Sequence, residues 1–132
     1  MTKTLAWVFG VVLTLVGVLG FVPGITSGGM LLGIFEVDML HSIIHVVTGL
    51  AALAAAMGYF APKLYFQVFG VVYGVVAILG FVTGGAILFA TNMADNVLHL
   101  AIAAVALYAG FMVKEEMAVA APQSSAGMGA TM

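Results

Sequence analysis

The chain has 132 residues, of which 64% are hydrophobic and only 6% charged. An ordinary soluble domain carries about 25% charged residues, so this surface is built for lipid rather than water. The net charge of −2 comes without any basic cluster, which excludes nucleic acid as a partner, and the absence of cysteine excludes disulfides, thiol nucleophiles and thiolate metal sites.

In chain order, residues 4–22 form the first apolar run, behind Lys3. Its basic start imitates a signal peptide, but it is long enough to span a bilayer, which takes about 20 apolar residues. Pro23-Gly24 ends it, because proline lacks a donor and glycine frees the backbone. Residues 25–38 form the first connection. Its centre, Met30 to Phe35, is apolar but too short to cross, so it is expected to lie in the interface or to dip in under protein cover.

The second predicted helix covers 39–60 and carries His41, His45 and a run of alanines. Ala61-Pro62-Lys63 makes a tight turn into the third, 64–90. Inside that helix, Val68–Gly84 (VFGVVYGVVAILGFVTG) restates Val8–Gly24 (VFGVVLTLVGVLGFVPG), with 11 of 17 positions identical at an offset of 60. The fourth helix, 96–113, carries His99, which falls on His45 at an offset of 54. The drop from 60 to 54 reflects extra residues in the first connection. The expectation is an all-α, integral membrane four-helix bundle made of two tandem two-helix repeats over 1–116, followed by a low-complexity tail over 117–132.

With four crossings, Lys3, Lys63 and Lys114 share one side. The preference of basic residues for the cytoplasm then predicts a multi-pass protein of the cell inner (plasma) membrane with both termini cytoplasmic. Glu36, Asp38, Asp95 and all three histidines fall near the other face.

Glycines spaced four apart, Gly20/Gly24, Gly70/Gly74 and Gly80/Gly84, are candidate packing positions. Small residues let helix backbones approach in lipid, where packing rather than hydrophobicity drives association. Packing inside the bundle is the expected use, ahead of a dedicated dimer face.

The candidates for chemistry are few. His41 and His45 share one helix face, and the repeat places His45 and His99 at equivalent depths. One reading is structural: Ser42-x-x-His45 and Asn96-x-x-His99 each set a polar partner one turn before a histidine, suited to hydrogen bonds across helices. A second is a membrane haem held by His45 and His99, although no arginine exists anywhere in the chain to meet its propionates. A third is a divalent metal on His41, His45 and His99, with Glu36, Asp38 or Asp95 as an added ligand. No nucleophile–base pair, phosphate loop or mid-helix carboxylate is present in the pattern, so no enzyme activity or ion-coupled carrier is expected.

At Asn96-Val-Leu-His99-Leu-Ala-Ile-Ala103 and Ser42-Ile-Ile-His45-Val-Val-Thr-Gly49, the chain resembles an uncharacterised bacterial family of four-helix membrane proteins (domain of unknown function 4383), whose pattern is Asn-x-x-His-x-x-x-Gly. Each copy departs at one position, Ser42 for asparagine and Ala103 for glycine. The resemblance covers about Leu5 to Val113 and implies fold and location, with His45, His99 and then Asn96 as the residues carried over.

The leading functional expectation is a non-catalytic accessory or structural subunit without a cofactor, surrounded by membrane lipid and packed against other membrane subunits or itself. The alternative is a small cofactor protein holding haem or a metal through its histidines, and a small transporter follows behind.

Overall fold

The computed structural model describes residues 1–84 and 89–114. Four helices dominate: α1 (Thr2–Leu19), α2 (Met39–Ala56), α3 (Pro62–Thr83) and α4 (Met93–Leu107), the last continued by a π-helical turn over Tyr108–Met112. Each of the four, with the π turn counted into the last, is long and apolar enough to cross a membrane, so this is a multi-pass membrane protein. The predicted tail over 117–132 lies outside the described residues.

Chain-adjacent helices pair most closely, α1 with α2 and α3 with α4, while α2 and α3 meet along a shorter line. The packing stripes of α1 and α2 are rich in small residues, whereas α3 buries Tyr65, Phe66, Phe69 and Tyr73. α1 buries Ala6, Gly10, Leu13 and Gly17, and α2 buries Gly49, Ala52, Ala55 and Ala56. Bulky valines, leucines and isoleucines such as Val11, Leu15, Val47, Val75, Ile78 and Leu100 point outward. This inverts the soluble pattern, as expected where the solvent is itself apolar. Between the hairpins, the Phe9 ring meets Phe66 edge-on at 5.0 Å, and along α3 itself Phe69 stacks on Tyr73 at 4.0 Å.

The glycines divide by role. A Cβ at Gly20 would run into Ser42, one at Gly70 into Leu107 and one at Gly80 into Asn96. At Gly74 a Cβ would only touch Ala103, 3.9 Å away. Gly24 (φ 92°) and Gly84 (φ 73°) are turn positions with nothing within 4 Å, so these two of the six expected packing glycines serve backbone conformation instead. Gly10 against Leu53, Gly17 against Val46 and Gly49 against Thr14 are close approaches that the four-residue spacing does not reveal.

The helix ends also differ from expectation. α2 stops at Ala56, four residues early, in a Schellman turn: Tyr59 N–H donates to Ala54 O (3.0 Å) and Gly58 N–H to Ala55 O (3.1 Å). α3 stops at Thr83 rather than near residue 90, because Gly84 adopts the left-handed conformation. α4 begins at Met93, three residues early, on a capping box in which Asn92 Oδ1 accepts from Asp95 N and Asp95 Oδ2 accepts from Asn92 N, each at 2.9 Å. At the opposite end of the bundle Lys63 Nζ donates to Val113 O (2.7 Å), a cation on the last carbonyls of the fourth crossing.

The first connection has regular structure of its own. It folds into an antiparallel three-stranded sheet, β1 (Thr26–Ser27), β2 (Met30–Leu31) and β3 (Phe35–Glu36). Gly28 and Gly29 both have positive φ, which is what a two-residue hairpin turn requires. Leu31 and Val37 are buried.

Candidate functional site

Asp38 caps α2 and fixes its first turn. Its Oδ1 accepts from His41 N at 2.8 Å, and its Oδ2 accepts from Ala90 N at 2.9 Å across the gap to the other hairpin. Asp95 is the reciprocal clip, its Oδ2 accepting from Glu36 N at 3.0 Å. Asn92 Nδ2 donates to Ile34 O at 3.0 Å. The sheet and the segment before α4 are thus tied together over one end of the bundle.

Under these ties lie three histidines. His41, His45 and His99 are 1%, 6% and 2% exposed. Ring centroids are 4.7 Å apart for His41–His45, 5.5 Å for His41–His99 and 6.1 Å for His45–His99. One ligand nitrogen from each ring can be chosen so that all lie within 4.8 Å of one another. They face a cavity of about 160 Å³ completed by Ile44, Thr48, Val72, Tyr73, Val76 and Phe89.

The protonation pattern of His41 follows from its partners. Its Nδ1 lies 2.8 Å from Ala90 O and 3.1 Å from Glu36 O. Carbonyls only accept, so Nδ1 carries the proton and donates to them, and in the neutral ring Nε2 is the nitrogen with the lone pair. That Nε2 is buried and has no partner among the described residues, and the same is true of both ring nitrogens of His45 and Nδ1 of His99. Each such group costs about 1–3 kcal/mol if nothing pairs with it.

The cross-helix hydrogen bonds expected of the histidines are not made by His45. Ser42 packs on Gly20 instead of bonding His45, and Asn96 Oδ1, pressed on Gly80, is itself unpartnered. Of the suggested carboxylate ligands, Asp38 and Asp95 are occupied as helix caps, and the cluster of potential ligands contains the three histidines alone among the described residues. Sequence reasoning missed Tyr73, whose ring is 5.4 Å from His99, and Phe89, 4.8 Å from His41. The signal for Tyr73 lay in the repeat, where position 73 breaks the match with Leu13.

The fold and this cluster define a four-helix, multi-pass membrane protein with a buried imidazole centre at one end. The chain belongs to the family described as Domain of unknown function (DUF4383), whose model matches residues 3–112. No curated protein and no solved structure matches it.

Proposed function

We propose that this is a non-catalytic membrane protein that holds one transition-metal ion between its hairpins, on His41, His45 and His99. The observation behind this reading is the set of buried ring nitrogens without partners among the described residues, gathered within 4.8 Å and steadied by two carbonyls on His41. Metal-bound histidines typically donate their second N–H to a backbone carbonyl in this way. The size of the cavity favours an ion over haem. About 160 Å³ is well short of the roughly 300–1,000 Å³ of ordinary ligand sites, and a porphyrin would have to part rings already in mutual contact.

A tandem two-hairpin origin supports the same reading, because it brings His45 and His99 together across the bundle. Several pairs recur at offsets of 60 in the first helix and 54 in the second. Gly10 on Leu53 matches Gly70 on Leu107, and Gly20 on Ser42 matches Gly80 on Asn96. Asp38 and Asn92, both helix caps, also differ by 54. His41 falls on Asp95 in this alignment, so the third imidazole belongs to one copy only.

A second reading, an accessory subunit within a larger membrane complex or homo-oligomer, draws on the apolar helix faces and on the absence of any polar lumen among the described residues. Both readings place the termini and Lys63 in the cytoplasm and the histidines toward the outer face of the cell inner membrane.

The test is elemental analysis of the protein extracted gently from its own membrane, alongside a native mass spectrum. One metal ion per chain, lost in His45→Leu, is the expected result. A metal-free, folded protein found only within a complex would replace this reading with the accessory one.

A further inference from the structure

Three imidazoles form the donor set, and no carboxylate is among the ligands. The chain has no cysteine. Both oxygens of Asp38 accept backbone N–H groups, and Asp95 Oδ2 accepts two. The remaining wall of the cavity offers two oxygen-bearing side chains, Thr48 and Tyr73. Thr48 Oγ1 donates to Ile44 O at 2.9 Å, and Tyr73 Oη reaches Thr48 Oγ1 at 3.4 Å. Neither is an anion.

An ion seated here takes no charge from its direct ligands, and the nearest carboxylates, Asp38 and Asp95, are held by backbone N–H groups. The cost of burying an ion grows with the square of its charge, so a divalent ion costs about four times as much as a monovalent one of equal size. Zinc on three histidines normally completes a tetrahedron with a water whose ionisation relieves that charge, and it favours settings where the resulting hydroxide is solvated. Here Val72, Val76, Ile44 and Phe89 surround the remaining space. A monovalent ion that accepts three nitrogen ligands avoids both demands. Cuprous copper is such an ion: closed-shell, without a geometric demand from its d electrons, and well served by imidazole.

We infer that the His41–His45–His99 centre is a site for cuprous copper, selected over divalent ions by the absence of any anionic ligand in an apolar cavity. This rests on the metal-binding reading above. The three ligand nitrogens, within 4.8 Å of one another, would close to about 3.5 Å around a trigonal ion with bonds of about 2.0 Å, a movement within reach of side-chain torsions. Two thioethers at the same end fit the choice. Met39 and Met93 open α2 and α4, differ by the repeat offset of 54, and are exposed. Thioether sulfur is a soft donor that takes monovalent copper in preference to zinc, which suits these residues to delivering the ion.

The test uses the full chain in lipid nanodiscs. It is titrated without oxygen with Cu(I) against a chromophoric cuprous chelator, and separately with Zn²⁺ and Cu²⁺ against their own chelators. The expected result is one Cu(I) per chain, held at least about 100-fold more tightly than Zn²⁺, with X-ray absorption showing three nitrogen neighbours. His45→Leu and His99→Leu, checked for native helix content, each lose the ion, whereas Met39→Leu leaves the equilibrium affinity unchanged and slows loading. Zn²⁺ or Cu²⁺ bound as tightly as Cu(I) would overturn the selectivity and leave the metal reading standing. A folded wild-type chain that retains no metal would overturn both, and the cavity would then be a water site. Cu(I) retained by the double variant His45→Leu/His99→Leu would place the ion on the methionines and overturn the site.

Discussion

The side chain of Asn96 rests directly on Gly80, so closely that a Cβ on residue 80 would overlap its amide group. This contact sets the spacing of α3 and α4 beside the histidine cluster, one turn before His99. Gly80→Ala is therefore expected to destabilise the protein by about 1–3 kcal/mol through overpacking. Gly74→Ala, where the nearest atom is the Ala103 Cβ at 3.9 Å, should be neutral or stabilising, since alanine favours a helix over glycine by about 1 kcal/mol. Unfolding of both variants in bicelles checks the pair. Equal losses would show that α3 and α4 are not packed in this register. Adding Asn96→Ala to Gly80→Ala should recover part of the loss, because it removes the group that the new methyl strikes.

Asp95 binds two backbone N–H groups, those of Glu36 and Asn92, and so joins the sheet to the cap of α4. Asp95→Ala should cost about 1–3 kcal/mol, because it breaks a capping box and leaves the Glu36 N–H without its partner. The loss should be local. Hydrogen exchange should speed up at Glu36 and Asn92 while the amides in the middle of α3 keep their protection. A uniform change across all four helices would mean that the sheet and the start of α4 do not open independently of the bundle.

The membrane spans were legible in the sequence because apolar length is a direct physical requirement of the bilayer, and the pairing of His45 with His99 was legible because the chain repeats. The helix ends were less so. Gly84 and Gly58 stop α3 and α2 through positive φ, and one-letter patterns do not distinguish a glycine used for its backbone from one used for close packing. The sheet carries a local signal in Gly28-Gly29, which between short segments is the composition of a two-residue hairpin. The carboxylates misled in a different way. Asp38 and Asp95 lie near the histidines in sequence, but Asp38 caps α2 and Asp95 stands in the first turn of α4, and backbone N–H groups there claim a carboxylate before any ion does. The third histidine was visible only as a helix-face neighbour of His45. That His41 meets Ala90 O depends on a contact between hairpins that no local pattern encodes.

Tyr65 crosses from α3 to α2, donating from its hydroxyl to Thr48 O at 3.0 Å while its ring stacks on Phe69 at 4.8 Å. Tyr65→Phe keeps the stack and deletes the bond. The expected loss is about 0.6 kcal/mol, typical of hydrogen bonds between membrane helices. Tyr65→Ala also removes the ring and should cost about 3–5 kcal/mol. Thermal unfolding in one detergent, with both variants side by side, separates the two contributions. A Phe variant as damaged as the Ala variant would mean that the hydroxyl, rather than ring packing, holds the hairpins together.

His41 offers the sharpest check on the site, because its tautomer is fixed by geometry before any ligand enters. Its Nδ1–H faces Ala90 O and Glu36 O, so nitrogen NMR of histidine-labelled protein should show Nδ1 protonated and Nε2 bare. On adding a metal ion that binds the cluster, the Nε2 resonance should move strongly while Nδ1 keeps its proton, as expected when the second nitrogen holds the ring for coordination. His45 has no such anchor, since neither of its nitrogens has a partner among the described residues, so its two tautomers should exchange until the ion selects one. The opposite pattern, with His41 exchanging and His45 fixed, would contradict the hydrogen bonds that tie the sheet and the α4 cap to this end of the bundle. It would also remove the reason for treating His41 as the preorganised member of the three.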